Sequence, residues 1–192
     1  MKIMHSIEQI FQNSIEVKKN ILANPDFIAK IEKSIAIIVS ALKNDNKIIF
    51  CGNGGSAADA QHLTAEFTGR FYKERTPLAA LCLNTNVSSL TAIANDYSYD
   101  DVFLRQTIAL ARKGDVLVGI TTSGNSKNII KSFEYAKENG ITTIALTGEG
   151  GGKIKDLADI LLDVPSSDTP RIQESHITIG HIICELVEKE LF

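Results

Sequence analysis

The sequence contains no apolar run of membrane-spanning length, no block of basic residues, no paired-cysteine motif and no low-complexity tract. Each absence removes a class of function. Without about 20 consecutive apolar residues there is no transmembrane helix. The N-terminal stretch MKIMHSIEQIFQNSIEVKK mixes charges into its apolar residues and does not read as a signal peptide. Lys and Arg number 20 against 23 Asp and Glu, a net charge of −3, which argues against a general nucleic-acid surface. Cys51, Cys82 and Cys184 are odd in number, widely spaced and set among apolar residues. They read as reduced, buried thiols of a cytoplasmic protein. No linker or repeat interrupts the chain, so residues 1–192 are expected to form one domain with a sizeable core.

What is present is an alternation of helical and strand periods. Ile7, Ile10, Phe11 and Ile15 mark a first amphipathic helix, and Phe27, Ile31, Ile35, Ile38 and Leu42 a second, with Asn24-Pro25-Asp26 breaking them. From Lys47 short apolar runs at Ile48–Cys51, Leu78–Leu83, Val116–Ile120, Thr143–Leu146 and Ile160–Val164 alternate with helical stretches. Five such strands with helical crossovers predict an α/β fold, a five-stranded parallel sheet flanked by helices in three flavodoxin-like layers. The last helix is expected from Pro170 or Arg171 to the end. The helical pair over 1–45 and the very apolar last helix exceed what one face of the 46–192 core needs, which suggests an oligomer packed through helices.

The densest chemistry lies in IIFCGNGGSAADAQHLTAEF, Ile48 to Phe67. A strand ends in Gly52-Asn53-Gly54-Gly55-Ser56 and a helix follows at once. Glycines let a backbone approach an anion, and a helix start supplies unpaired N–H groups. No Lys-Ser/Thr follows the glycines and the spacing is not GxGxxG, so a sugar phosphate fits better than a nucleotide. Read alone, the segment also serves as a plain strand-to-helix turn.

A second loop, Thr121-Thr122-Ser123-Gly124-Asn125-Ser126, precedes another helix. Four hydroxyls converge where simple capping needs one. Ligands of doubly wound sheets bind at the carboxyl ends of the strands, so the two loops are placed to hold two parts of one ligand. His62 and Glu66 stand one helical turn apart, a spacing that serves metal binding, acid–base chemistry or an ordinary surface pair. Gln173, Glu174, His176 and His181 punctuate the apolar last helix. Gln173 and His181 are eight residues apart, about 12 Å of rise on a continuous helix.

In combination, CGNGGSAADAQHLTAEF, LTAIANDY, GDVLVGITTSGNS, ALTGEGGGK and RIQESHITIGH resemble the SIS (sugar isomerase) domain, and within it the sedoheptulose-7-phosphate (phosphoheptose) isomerases. The resemblance covers essentially the whole chain. It implies a homotetramer with active sites near subunit boundaries, and the isomerisation of sedoheptulose 7-phosphate to D-glycero-D-manno-heptose 7-phosphate, the first step of bacterial ADP/GDP-heptose synthesis. It implies one zinc ion per subunit on His62, Glu66, Gln173 and His181, with Glu66 and His181 as acid and base. It implies substrate contacts from Asn53, Gly54, Gly55, Ser56, Glu66, Asn95, Asp96, Thr121, Thr122, Ser123, Ser126 and Gln173. Position 170 is Pro where some relatives carry Asp, so the contact made by that Asp would be absent here, with Asp168 near enough to be considered. Adaptor-like relatives lack the acid at 66 and the His at 181; both are present here. An isomerase of a pentose or hexose phosphate is a further alternative.

Overall fold

The computed structural model describes residues 2–192, with side chains from Ser6 onward. Helix α1 spans Lys2–Leu22 and α2 spans Pro25–Lys43. Asn24 separates them as the N-cap of α2, its side chain accepting from the Phe27 amide at 3.1 Å. Pro25 occupies the first turn, where a missing N–H costs no helical bond. The strands are β1 (Ile48–Gly52), β2 (Ala80–Cys82), β3 (Val116–Ile120), β4 (Thr142–Thr147) and β5 (Ile160–Asp163). Between and after them run α3 (Gly55–Thr68), α4 (Val87–Asp96), α5 (Val102–Leu110), α6 (Lys127–Glu138) and α7 (Thr169–Leu191).

All four strand pairings are parallel, in the order β2-β1-β3-β4-β5. The predicted sheet is therefore present. Its most shortened member is β2, where the Leu78 amide turns away to the Phe67 carbonyl at 3.0 Å. Alternate residues of each strand feed opposite faces. Ile48, Phe50, Val116, Val118, Ile144 and Leu146 pack with α1, α2, α3 and α7. Ile49, Cys51, Leu117 and Ala145 pack with α5, α6 and the α4 residues Leu90 and Ile93. This makes three layers. No helix among the described residues is long and apolar enough to cross a membrane.

Helices α3 and α7 lie side by side and run the same way. A Cβ on Gly180 would stand 2.6 Å from a Leu63 methyl, so a larger residue there would have to displace the Leu63 side chain. The contact fixes the axial register between the two helices that carry His62, Glu66 and His181.

Candidate active site

Strands β1 and β3 are neighbours, and Gly52 pairs with Ile120, so both glycine- and hydroxyl-rich loops leave the sheet at the same height. The strand order reverses between β1 and β3, which opens a crevice there. In the first loop Gly54 is left-handed, with φ +56°, and Ser56 is buried. Gly54 is the N-cap of α3 and brings no capping side chain, leaving the helix start to backbone donors.

The second loop is built differently. Ser126 is the N-cap of α6, yet its hydroxyl makes no cap bond and instead meets the Thr121 hydroxyl at 3.0 Å. Simple capping therefore does not account for these hydroxyls. Ser123 Oγ accepts from the Asn125 amide at 3.1 Å, and the Thr122 carbonyl accepts from the Gly148 amide at 2.9 Å. Gly124 (φ +64°) and Gly152 (φ +56°) cross so closely that a Cβ on either would overlap the other segment's backbone. The glycines of ALTGEGGGK thus clamp the hydroxyl loop. Thr122 and Ser123 face a hollow of about 260 Å³ that Glu149, Ser166 and Thr169 also line.

His62, Glu66 and His181 converge from α3 and α7. His62 Nε2 lies 2.9 Å from His181 Nε2 and 3.2 Å from Glu66 Oε1. One ligand atom from each of the three residues falls within 4.8 Å of the others. Zinc ligands at about 2.0–2.1 Å in a tetrahedron stand about 3.3 Å apart, so two imidazole nitrogens and a carboxylate oxygen in this arrangement fit such an ion.

Gln173 is placed elsewhere. Because α7 begins at Thr169, Gln173 already lies on the helix, with His181 about 12 Å further along it. Its amide rests against the first loop, Nε2 being 2.7 Å from where a Cβ on Gly55 would stand. One chain therefore brings together three of the four expected ligands and leaves the fourth beside the glycines. Asn95 and Asp96 close the exposed end of α4, where Asn95 donates to the Asp96 carboxylate at 2.9 Å. Asp168 is the N-cap of α7, and its carboxylate lies 4.0 Å from Arg171 Nε, which is buried without a hydrogen-bond partner.

Comparison with known proteins shows the family. The SIS-domain family model matches residues 11–148. The phosphoheptose isomerase of Clostridium acetobutylicum is 52% identical over 186 residues, 97% of this chain and 95% of that protein. That of Aliarcobacter butzleri is 55% identical over 181 residues, 90% and 96% of the two chains. The chain belongs to the phosphoheptose isomerase family of SIS-domain proteins. Among solved structures of the family, that from Neisseria gonorrhoeae superposes with a TM-score of 0.91 at 44% identity, covering 97% of this chain and 99% of that one. That from Francisella tularensis gives 0.92 at 37%, covering 98% and 100%.

Several residues around the site escaped the sequence reading. Asp59 is one turn before His62; burial raises its carboxyl, while His62 and His181 oppose the rise, so it lies within their field. An i, i+3 spacing to His62 was its only signal. Phe71 sets its ring 5.8 Å from that of His181. Arg75 and Glu188 form an ion pair at 2.7 Å with both side chains 2% exposed. Glu188 also accepts from the amides of Phe71, Tyr72 and Lys73, and Arg75 donates to the Glu66 and Phe67 carbonyls. Burial alone would raise the Glu188 carboxyl. The three amides and the guanidinium outweigh it and bring the pKa down to about 2. This pair ties the end of α3 and the segment after it to α7.

His176, by contrast, is no ligand. It is fully buried, its Nε2 donates to the Thr147 carbonyl at 3.0 Å, and Nδ1 has no partner.

Proposed function

We propose that this chain is an aldose–ketose isomerase that converts sedoheptulose 7-phosphate into D-glycero-D-manno-heptose 7-phosphate for bacterial heptose synthesis. The observation that carries this reading is the convergence of His62, Glu66 and His181 beside two anion-suited loops at the β1/β3 crevice. The identities to named phosphoheptose isomerases support the substrate.

In this reading the phosphate sits in the Thr121–Ser126 loop, held by Thr121, Thr122, Ser123 and Ser126. The sugar runs past Asn53, Gly54, Gly55 and Ser56, with Gln173 over Gly55 and Asn95 and Asp96 serving hydroxyls. Isomerisation moves a proton between C1 and C2 through an enediol. Glu66 takes the C1 proton and returns it at C2, and His181 carries the hydroxyl proton between O1 and O2. Glu66 turns Oε1 to His62 and uses its second oxygen for this transfer. Zinc bound by His62, Glu66 and His181 would supply a Lewis acid for the substrate carbonyl. Within its own chain Gln173 serves substrate. It joins a metal shell only from a second subunit across the boundary.

The same reading makes the protein a homotetramer, its 1–45 helical pair packing between subunits. Ile7, Ile10, Phe11 and Ile15 leave an apolar stripe of α1 uncovered, and a hollow of about 540 Å³ between α2 and α7 holds no site residue. A cytoplasmic setting suits three buried, unpaired cysteines.

A coupled assay with sedoheptulose 7-phosphate, run with and without chelator, tests the proposal. The wild-type protein is expected to turn the substrate over and to lose activity with its metal. His62→Ala is expected to lose both metal content and activity. Full activity in metal-free protein, checked by elemental analysis, would reduce Glu66 and His181 to a free acid and base. No turnover in the metal-replete wild type would remove the substrate assignment.

A further inference from the structure

The two ligand loops are joined by side chains as well as by the sheet. Asn53 Nδ2 donates to Asn128 Oδ1 at 3.0 Å, and Asn128 Nδ2 donates back to Asn53 Oδ1 at 2.9 Å. Tyr99 closes the set, its hydroxyl donating to Asn53 Oδ1 at 2.9 Å. The orientation of the amides follows from chemistry. The Ile129 amide, which can only donate, meets Asn128 at 3.0 Å, so that atom is the oxygen and the other is the NH₂ that faces Asn53.

The count of lone pairs and protons then matters. Asn53 Oδ1 accepts twice and is full; one N–H of Asn53 remains. Asn53 can therefore offer a ligand a single donor, and most of its amide is spent on Asn128 and Tyr99. Asn128 itself is buried at the start of α6, directly behind the hydroxyl loop. Tyr99 lies on a one-turn helix, Tyr99–Asp101, held to α6 by Lys131 on Asp101 at 2.7 Å and by Lys127 near Asp100 at 3.6 Å. Asn128 and Tyr99 are thus both anchored to α6 by other bonds, so together they set the distance of Asn53 from it.

We infer that Asn128 and Tyr99 are positioning residues: with Asn53 they form a strut that holds the glycine loop after β1 at a fixed span from the hydroxyl loop after β3. The strut serves a ligand that occupies both loops, and it rests on the reading of the substrate as a sugar phosphate. A small anion that fills one loop gains nothing from it. This difference separates positioning from general support of the fold.

The test compares two constants in one assay, the KM for sedoheptulose 7-phosphate and the inhibition constant of inorganic phosphate. In Asn128→Ala the KM is expected to rise about tenfold, and in Tyr99→Phe about threefold, while phosphate inhibits each variant as it does the wild type. The double variant should show less than the product of the single effects, since both act through Asn53. Tyr99 is exposed, so Tyr99→Phe keeps the test available if Asn128→Ala folds poorly by thermal melting. Equal rises in KM and phosphate constant, or no change in KM in folded Tyr99→Phe and Asn128→Ala, would overturn the strut. Failure of the wild type to turn over this substrate would instead strike the functional reading.

Discussion

At the scale of single residues, the proposed mechanism divides the site into groups that react and groups that hold. Glu66 belongs to the first in this proposal, with Oε1 turned to His62 at 3.2 Å. Glu66→Gln is expected to keep the fold, by circular dichroism, and to lower turnover by roughly 10²- to 10⁴-fold, as loss of a general base does. Turnover within a few-fold of wild type would end its role. Ser123 and Ser126 belong to the second group. Each hydroxyl already has one partner in the loop, Asn125 or Thr121, and keeps bonding capacity for a phosphate oxygen. Ser123→Ala and Ser126→Ala should raise KM more than they lower turnover, because contacts far from C1 act on bound substrate and transition state alike. Steady-state kinetics over a wide substrate range would show the split.

At the scale of elements, α7 is the organiser. Its apolar stripe packs on the sheet, and its polar residues reach three separate places: Gln173 the first loop, His181 the α3 pair, Glu188 the segment after α3. Cutting the last link with Glu188→Ala leaves Arg75 buried without its partner. A loss of about 3–5 kcal/mol is expected, read from urea midpoints. The pH dependence follows with its sign. Folding lowers the Glu188 pKa from 4.5 to about 2, so the unfolded chain binds this proton more readily. The contribution is complete above the unfolded value and fades as pH falls from 4.5 toward 2. His176 acts earlier. Burial, only partly opposed by the Thr147 carbonyl, lowers its pKa from 6.5 to about 4. The unfolded chain again binds the proton first, so stability declines as pH falls from 6.5 toward 4. His176→Gln, which keeps a donor for Thr147, should flatten that upper part of the profile and leave the lower part unchanged.

Those elements show what the sequence could disclose. VLVGI and IIFCG read as buried strands because every residue is apolar, and the α3 pair was visible as an i, i+4 spacing. The eight-residue gap between Gln173 and His181 already raised the question that α7 answers by starting at Thr169. Arg75 with Glu188, and Asn53 with Asn128 and Tyr99, were not legible. Their partners lie 113, 75 and 46 positions away, and no local period encodes a pairing that only the strand order brings about.

At the scale of the whole molecule, the uncovered stripe on α1 is the main unfinished surface. Phe11 is 66% exposed and sits with Ile7, Ile10 and Ile15 on one helix face. If the protein is the proposed tetramer, Phe11→Asp should shift it to smaller species in analytical ultracentrifugation. If a site residue comes from a second subunit, activity should fall with dilution in parallel. A variant that stays tetrameric would remove α1 from the assembly contact. The close seating of Gly180 on Leu63 has a different consequence. It keys α3 and α7 like two rods cut with matching notches, so the span between their pairs admits no change of length. One residue inserted between Gln173 and His181 would turn the imidazole about 100° and slide it about 1.5 Å. A matching insertion in α3 would not rescue it, since both rods would turn in the same sense and carry both imidazoles off the shared face. A one-residue insertion within α3 or α7 is therefore expected to part His62 from His181.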